Sequence, residues 1–442
     1  MSIKRIFPFF FFFFLFLCKI QAQEVSPYSQ FLAGDMRGAG FTAQNSMGRI
    51  TSAFHGPLHI NFSNPAAYSS LKLTTLEGGA VFSSKKIYTQ NGTTHAGTGF
   101  IDFVALAFPI LKRVNQGDLK KEKEYNVAGI SVGLVPYSSV KYNFEVPEIT
   151  ADSVNYTRAF NGSGSIYQLY AGAGIKFPMK NDTAKHTFAV GVNAIYLFGR
   201  NRYVEFVNFN TNTNYFGTRK NSVLRTSDVA WNAGMQYIVR FPQRWALTLG
   251  ADAYVPMGVN AKYSDTWDRF QVSSGGIGVL DTVYETSETT ISRKFPLQMG
   301  GGFLLKKANM WLVSADVHYN IWENFQDIFN PGLTAKNSVR INGGTEFTPL
   351  GKGKPNFLKR THYRFGGWYE TAVLNLRSKD IIQYGITFGL GLPAKGSFSL
   401  INIGMEIAQR GTTANGLAKE TSIRTYIGVT LNDKWFIKRK YD

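Results

Sequence analysis

Trp311-Leu312-Val313-Ser314-Ala315-Asp316-Val317-His318-Tyr319-Asn320-Ile321-Trp322 alternates at almost every step. Trp311, Val313, Ala315, Val317, Tyr319 and Ile321 make an apolar, aromatic face; Leu312, Ser314, Asp316, His318, Asn320 and Trp322 make a mostly polar one. A period of two is that of a β-strand, whose side chains point to opposite sides in turn. Apolar and aromatic residues outward with polar residues inward fit lipid on one side and a wet interior on the other. In lipid every backbone amide needs an internal partner, and strands supply one only in a closed barrel. The expected fold is therefore all-β: a transmembrane barrel in the cell outer membrane.

The pattern recurs along the chain. Phe188, Val190, Val192, Ala194, Tyr196 and Phe198 share one face, and so do Trp245, Leu247, Leu249, Ala251, Ala253 and Val255. Near the end Ile382, Tyr384, Ile386, Phe388, Leu390 and Leu392 oppose Gln383, Gly385, Thr387, Gly389 and Gly391. Counting such repeats from Leu73 onward gives about fourteen antiparallel strands, and each is long enough for the roughly 10 residues a tilted strand needs to cross. The third, Tyr125 to Phe144, contains Pro136. Proline donates nothing to a ladder, so this position reads as a local opening, an ordinary bulge, or a strand end near the membrane rim.

The ends divide the 442 residues. Met1-Ser2-Ile3-Lys4-Arg5, an apolar run from Ile6 to Leu17, and Ala22 form a secretory signal expected to span residues 1–22. That run is shorter than the roughly 20 residues of a membrane helix. The only cysteine, Cys18, lies within the expected signal, so a processed chain has no disulfide or thiolate chemistry. Residues 23–72 lack strong alternation and carry Asn64-Pro65-Ala66-Ala67-Tyr68; they are expected inside the barrel or at its periplasmic mouth. Residues 73–442 form the barrel.

Composition agrees. There are 36 Phe, 22 Tyr and 44 Gly, yet mean hydropathy is only −0.14, because alternation hides in an average. The net charge of +19 raises nucleic-acid binding as a reading. The excess sits at certain turns, such as Lys306-Lys307 and Lys359-Arg360, where anionic headgroups and periplasmic polyanions account for it. No nucleic acid is expected as a partner of an exported barrel. Short or basic connections (Lys180 to Lys185, Pro242 to Arg244) are expected in the periplasm. The Asn/Thr/Ser-rich stretches Pro147 to Gly162, Asn208 to Thr218 and Gln271 to Glu288 are expected as external loops.

With these residues in view, the chain resembles the FadL-like family of long-chain fatty-acid transporters, and most closely its Bacteroidetes branch. The stretches that carry the resemblance are Ser26-Pro27-Tyr28-Ser29, Asn64-Pro65-Ala66, Leu134-Val135-Pro136-Tyr137-Ser138-Ser139, Tyr363-Arg364-Phe365-Gly366 and Trp435-Phe436-Ile437-Lys438-Arg439-Lys440-Tyr441-Asp442. The resemblance implies an N-terminal hatch plugging the lumen, with Asn64, Pro65, Ala66 and Tyr68 as hatch and ligand-binding residues. It also implies lateral release of apolar ligands into the bilayer through a gap at a kink in the third strand, here Pro136 and Tyr137.

Catalysis has little support. Asp316 and His318 share an inward face, but no serine constellation accompanies them, and solvated lumen residues account for both. The six histidines show no zinc spacing. Gly300-Gly301-Gly302 is no phosphate loop and fits close packing against the hatch. Neither a catalytic residue nor a metal nor a cofactor is implied. The expected function is passive uptake of hydrophobic small molecules, with outer-membrane lipid and an apolar ligand as partners. The alternative is a non-transporting barrel serving a protein secretion or assembly complex.

Overall fold

The computed structural model describes residues 25–433, apart from residues 39, 116–121, 151–152, 179–185, 210–214, 274–275, 294, 309, 324, 326, 331, 334, 350–355 and 396. The expected signal, residues 1–22, and the ending from Trp435 to Asp442 lie outside the described residues. Sixteen long strands dominate: β1 (Thr74–Thr89), β2 (Gly92–Asn115), β3 (Glu122–Ile149), β4 (Asn155–Pro178), β5 (His186–Phe209), β6 (Gly217–Arg240), β7 (Trp245–Pro256) and β8 (Val259–Ser273). Then come β9 (Gly276–Arg293), β10 (Leu297–Lys307), β11 (Trp311–Ile321), β12 (Ser338–Phe347), β13 (His362–Glu370), β14 (Gln383–Pro393), β15 (Leu400–Gly411) and β16 (Lys419–Asp433).

Fourteen of them form the wall. Each pairs antiparallel with its neighbours through β7, which pairs with β10; the series continues to β16, which closes on β1 from Lys419↔Tyr88 to Asp433↔Thr74. β8 and β9 continue β7 and β10 upward as a hairpin, and β8 also pairs with β6 from Gly217↔Phe270 to Thr226↔Ala261. In β11 Leu312, Ser314, Asp316, His318 and Asn320 are buried, while Trp311, Val313, Val317 and Tyr319 are exposed, as the alternation requires. Tyr384 and Phe388 are likewise exposed. Exposed aromatic and aliphatic side chains on the outer face are what a lipid-embedded wall demands.

The wall is uneven in height. β4, β5 and β6 have 24 residues each and β3 has 28, whereas β10, β11 and β14 have 11. The shorter set matches the roughly 10 residues a tilted strand needs, so the longer set stands well clear of the bilayer. This corrects two expected loops. Pro147 to Gly162 and Gln271 to Glu288 are largely strand, paired as β3–β4 and β8–β9. Outside lipid both faces of a sheet meet water, so no apolar alternation is required and the sequence signal disappears. Long-range ion pairs hold this outer screen instead, including Arg158–Glu205, Arg219–Asp268 and Arg225–Glu288.

Residues 25–73 fill the lumen. Nearly all residues from Phe41 to Ile50 and from Ile60 to Leu71 are buried. The segment has little regular structure: a short strand Asp35–Met36, one helical turn Thr42–Asn45, and 3-10 turns at Pro27–Gln30 and Pro65–Ser70. Its backbone polar groups are satisfied by its own turns and by the inner face of the wall, where Glu77, Asp316 and Thr387 accept its amides.

Candidate functional site

Asn64, Pro65, Ala66 and Tyr68 are brought together and are fully buried. Asn64 caps the 3-10 turn by accepting from the amide of Ala66 at 3.2 Å. Its Nδ2 donates to the carbonyls of Ser52 (2.6 Å), Met235 (3.2 Å) and Ala251 (3.2 Å), fastening the turn to β6 and β7. The Tyr68 hydroxyl lies 3.1 Å from Asn193 Oδ1, and Asn193 in turn donates to the Phe62 carbonyl at 3.0 Å.

Beneath this turn lies a row of glycines. Gly129 pairs with Gly174, Gly174 with Gly191, and Gly191 with Gly234, so four adjacent strands, β3 to β6, present no side chain along one line. A Cβ on Gly191 would sit 2.6 Å from the Ala66 amide nitrogen. On Gly174 it would meet the Pro65 carbonyl, on Gly129 that of Tyr68, and on Gly234 the Asn64 side chain. The row lets one backbone rest directly on another.

Buried charges fix the rest of the segment. Glu406 accepts from Arg49 at 2.7 and 2.9 Å, from Arg424 at 2.6 Å and from the Trp368 indole at 3.1 Å. The Arg49 guanidinium also lies 4.0 Å from the centre of the Trp368 ring. Glu77 accepts from the Ile60 amide at 3.1 Å and contacts His59. Asp316 accepts the amides of Thr51 and Ser52, and His318 lies 3.3 Å from the Thr51 hydroxyl. Asp316 and His318 are thus anchors under the lumenal segment rather than the solvated residues expected, because the segment occupies the space that water would have taken.

His55 contacts Thr248 at 2.9 Å. Burial, and then the facing cations Lys306, Arg240 and Lys176, lower its pKa from 6.5 to about 3. An unseated His55 takes a proton near 6.5, whereas the seated one stays neutral down to about 3. The seat is fully stabilised by this group above pH 6.5 and loses that contribution as pH falls through the window. The urea midpoint for release of the segment should fall across the window, and less steeply in His55→Gln; parallel curves would contradict the assignment.

The wall itself is interrupted. The β2–β3 ladder runs from Asn115↔Glu122 up to Val104↔Leu134 and stops there. Two residues later the β3–β4 register shifts between Pro136 and Ser138. Tyr137 turns inward, buried, with its ring 5.9 Å from that of Tyr254 and 5.1 Å from that of Phe295. The inner edge of β3 that β2 leaves uncovered is met by the lumenal segment: Asp35 pairs with Ser139, Met36 with Ser138, and the Arg37 amide donates to the Tyr137 carbonyl at 2.9 Å.

An apolar cleft of about 450 Å³ opens at this interruption, lined by Phe82, Phe100, Ile101, Val104, Leu134 and Pro136. A separate cavity of about 140 Å³ lies in the lumen and is charged, with Arg37, Asp35, Lys85, Arg410 and Glu420 on its walls. The apolar space therefore lies in the wall, since residues 25–73 fill the barrel's middle. Asp102 borders both spaces. Between them the Arg37 guanidinium sits 4.3 Å from the centre of the Phe100 ring. Asp35 is held by Arg410 at 2.5 Å. Arg37, Phe100, Asp35 and Arg410 carry no motif, and nothing in their spacing announces them.

The model of a family described as BamG matches residues 2–442. No curated protein matches the chain. Among solved structures, a Pseudomonas aeruginosa FadL homologue is 9% identical with a TM-score of 0.54, covering 90% of this chain and 98% of its own. The Pseudomonas putida toluene transporter TodX is 14% identical with a TM-score of 0.53, covering 90% and 99%. The Ralstonia pickettii toluene transporter TbuX is 11% identical with a TM-score of 0.51, covering 89% and 98%. At these identities the likeness is one of fold.

Proposed function

The chain belongs to the BamG family, and from that premise and its FadL-like fold we propose that it is an outer-membrane channel admitting hydrophobic small molecules and releasing them sideways into the bilayer. One observation carries this reading: the β2–β3 ladder ends where an apolar cleft of about 450 Å³ faces lipid. Residues 25–73 act as a hatch, with Asn64, Pro65, Ala66 and Tyr68 as its seat on the glycine row. The strand Asp35–Met36 and the Arg37–Phe100 contact separate the lumenal cavity from the cleft. A ligand passes when they shift. The toluene transporters share this fold, which supports an apolar cargo of modest size.

A second reading, a barrel that docks a secretion or assembly protein, is favoured by the charged lumenal cavity and the tall screen of β3 to β6 with the β8–β9 hairpin. One comparison separates the two. Gram-negative cells lacking their own fatty-acid channel should accumulate labelled oleate when they make this barrel. If uptake stays at the background rate while a stoichiometric polypeptide is retained from native membranes, the docking reading replaces the first.

A further inference from the structure

The apolar band on the outside of the wall has a sharp upper edge. On β5 the outward face is apolar from Phe188 to Phe198, and on β6 from Val239 to Val229. Each run is about the roughly 10 residues that a tilted strand needs to cross. Tyr167 and Tyr196 are exposed at its upper rim, and the Tyr196 hydroxyl lies 2.8 Å from that of Ser227. Aromatic rings at such a rim mark the level of the headgroups.

Just above that rim the same faces turn basic. Arg200 and Arg202 follow Phe198 on the outward face of β5 and are exposed, whereas Asn201 and Tyr203 point inward and are buried. Arg200 is the ladder partner of Arg225 on β6, and Arg225 is the partner of Lys262 on β8. Ladder partners share a face, so three cations stand side by side across three strands, with Arg202 one step higher. Arg225 and Lys262 are exposed as well.

Like charges directly opposite one another destabilise a sheet. One carboxylate, Glu288 of β9, serves both Arg225 and, at 3.6 Å, Lys262. Arg202 donates to the neutral Asn221 side chain at 2.6 Å. Among the described residues no carboxylate pairs with Arg200 or Arg202. Four cations thus share a single carboxylate at the headgroup level. A row kept in register against its own repulsion, directly over an apolar face, fits an anion that carries an apolar anchor.

We propose that Arg200, Arg202, Arg225 and Lys262 form a site on the lipid-facing side of the barrel for the phosphate group of an outer-leaflet lipid. Its acyl chains lie along the apolar run below Phe198, which brings the phosphate level with the row. Arginine forks engage two phosphate oxygens at once, and Lys262 adds a point charge. Basic clusters beside a bilayer draw anionic lipid in the same way. The site requires only that the barrel be embedded, so it does not rest on the uptake reading.

The full chain in nanodiscs of phosphatidylcholine doped with bisphosphorylated lipid A should keep lipid A through extraction into detergent, read by native mass spectrometry. Arg200→Gln with Arg202→Gln should lower that retention by about tenfold or more. Arg200→Lys with Arg202→Lys should recover part of it, because the charge stays and the forks are lost. Lys86→Gln with Lys419→Gln removes two outward charges from β1 and β16 at the same end of the wall and should leave retention unchanged. Heat-modifiable gel mobility reports that each variant is folded. Lipid A stripped of its phosphates should be kept no better than phosphatidylcholine. No retention by the parent, equal retention of the dephosphorylated lipid, no loss in the Arg-to-Gln pair, or an equal loss in the Lys-to-Gln pair overturns the proposal.

Discussion

Glu406→Ala will destabilise the seated lumenal segment by about 3–5 kcal/mol, the cost of breaking a buried ion cluster on one side. Glu406 is fully buried and joins Arg49 of the segment to Arg424 of β16. Without the carboxylate, the Arg49 and Arg424 guanidinium groups lose the anion they share, and the Trp368 indole loses its acceptor. Residues Gly48 and Arg49 both hold left-handed backbone, with φ of 68° and 64°. A left-handed arginine is disfavoured by roughly 1 kcal/mol, so the turn depends on the ion cluster to keep it. Limited proteolysis of the folded barrel should cut between residues 25 and 73 in Glu406→Ala and spare the parent. Glu406→Gln, which keeps an acceptor but not the charge, should fall between them. Equal resistance in all three would show that the cluster contributes nothing to seating.

Gly191→Leu should be nearly as severe, on the order of 3 kcal/mol, the upper end of what overpacking costs. The added Cβ lies 2.6 Å from the Ala66 amide nitrogen, and the colliding atoms are backbone, which cannot swing aside as a side chain would. The wall at this point is held on both sides, by Gly174 and Gly234 in register, so the lumenal turn must lift. Lifting breaks the Asn64 bonds to Met235 and Ala251 together. A fluorophore attached near Tyr68 should report water exposure in the variant. The control is Gly343→Ala, because no atom lies within 4 Å of a Cβ there. If Gly191→Leu and Gly343→Ala behave alike, the glycine row is not a seat.

Much of the wall was legible because lipid imposes a rule on every strand it touches. Trp311 to Ile321 has the predicted faces. The proline in the third strand was legible because it lacks an amide, and the β2–β3 ladder stops beside it. Beyond the bilayer that rule lapses, which is why the start of β4 and most of β9 read as loops. The glycine row was hidden for another reason. Gly129, Gly174, Gly191 and Gly234 are unremarkable one by one, and become a surface only when register aligns them. Arg49 and Glu406 stand 357 residues apart, so closure of the barrel alone brings them together.

The proposed route depends on the strand Asp35–Met36 leaving β3. Met36 and Ser138 are ladder partners, and such neighbours lie about 4.5–5.5 Å apart at Cα, within disulfide range. The sequence has a single cysteine, Cys18, so Met36→Cys with Ser138→Cys in a Cys18→Ser background introduces an unambiguous pair. Labelled oleate uptake should drop to background when this bond is oxidised and return on reduction. Undiminished uptake through barrels whose cross-link is verified by mass would contradict a passage at this gap.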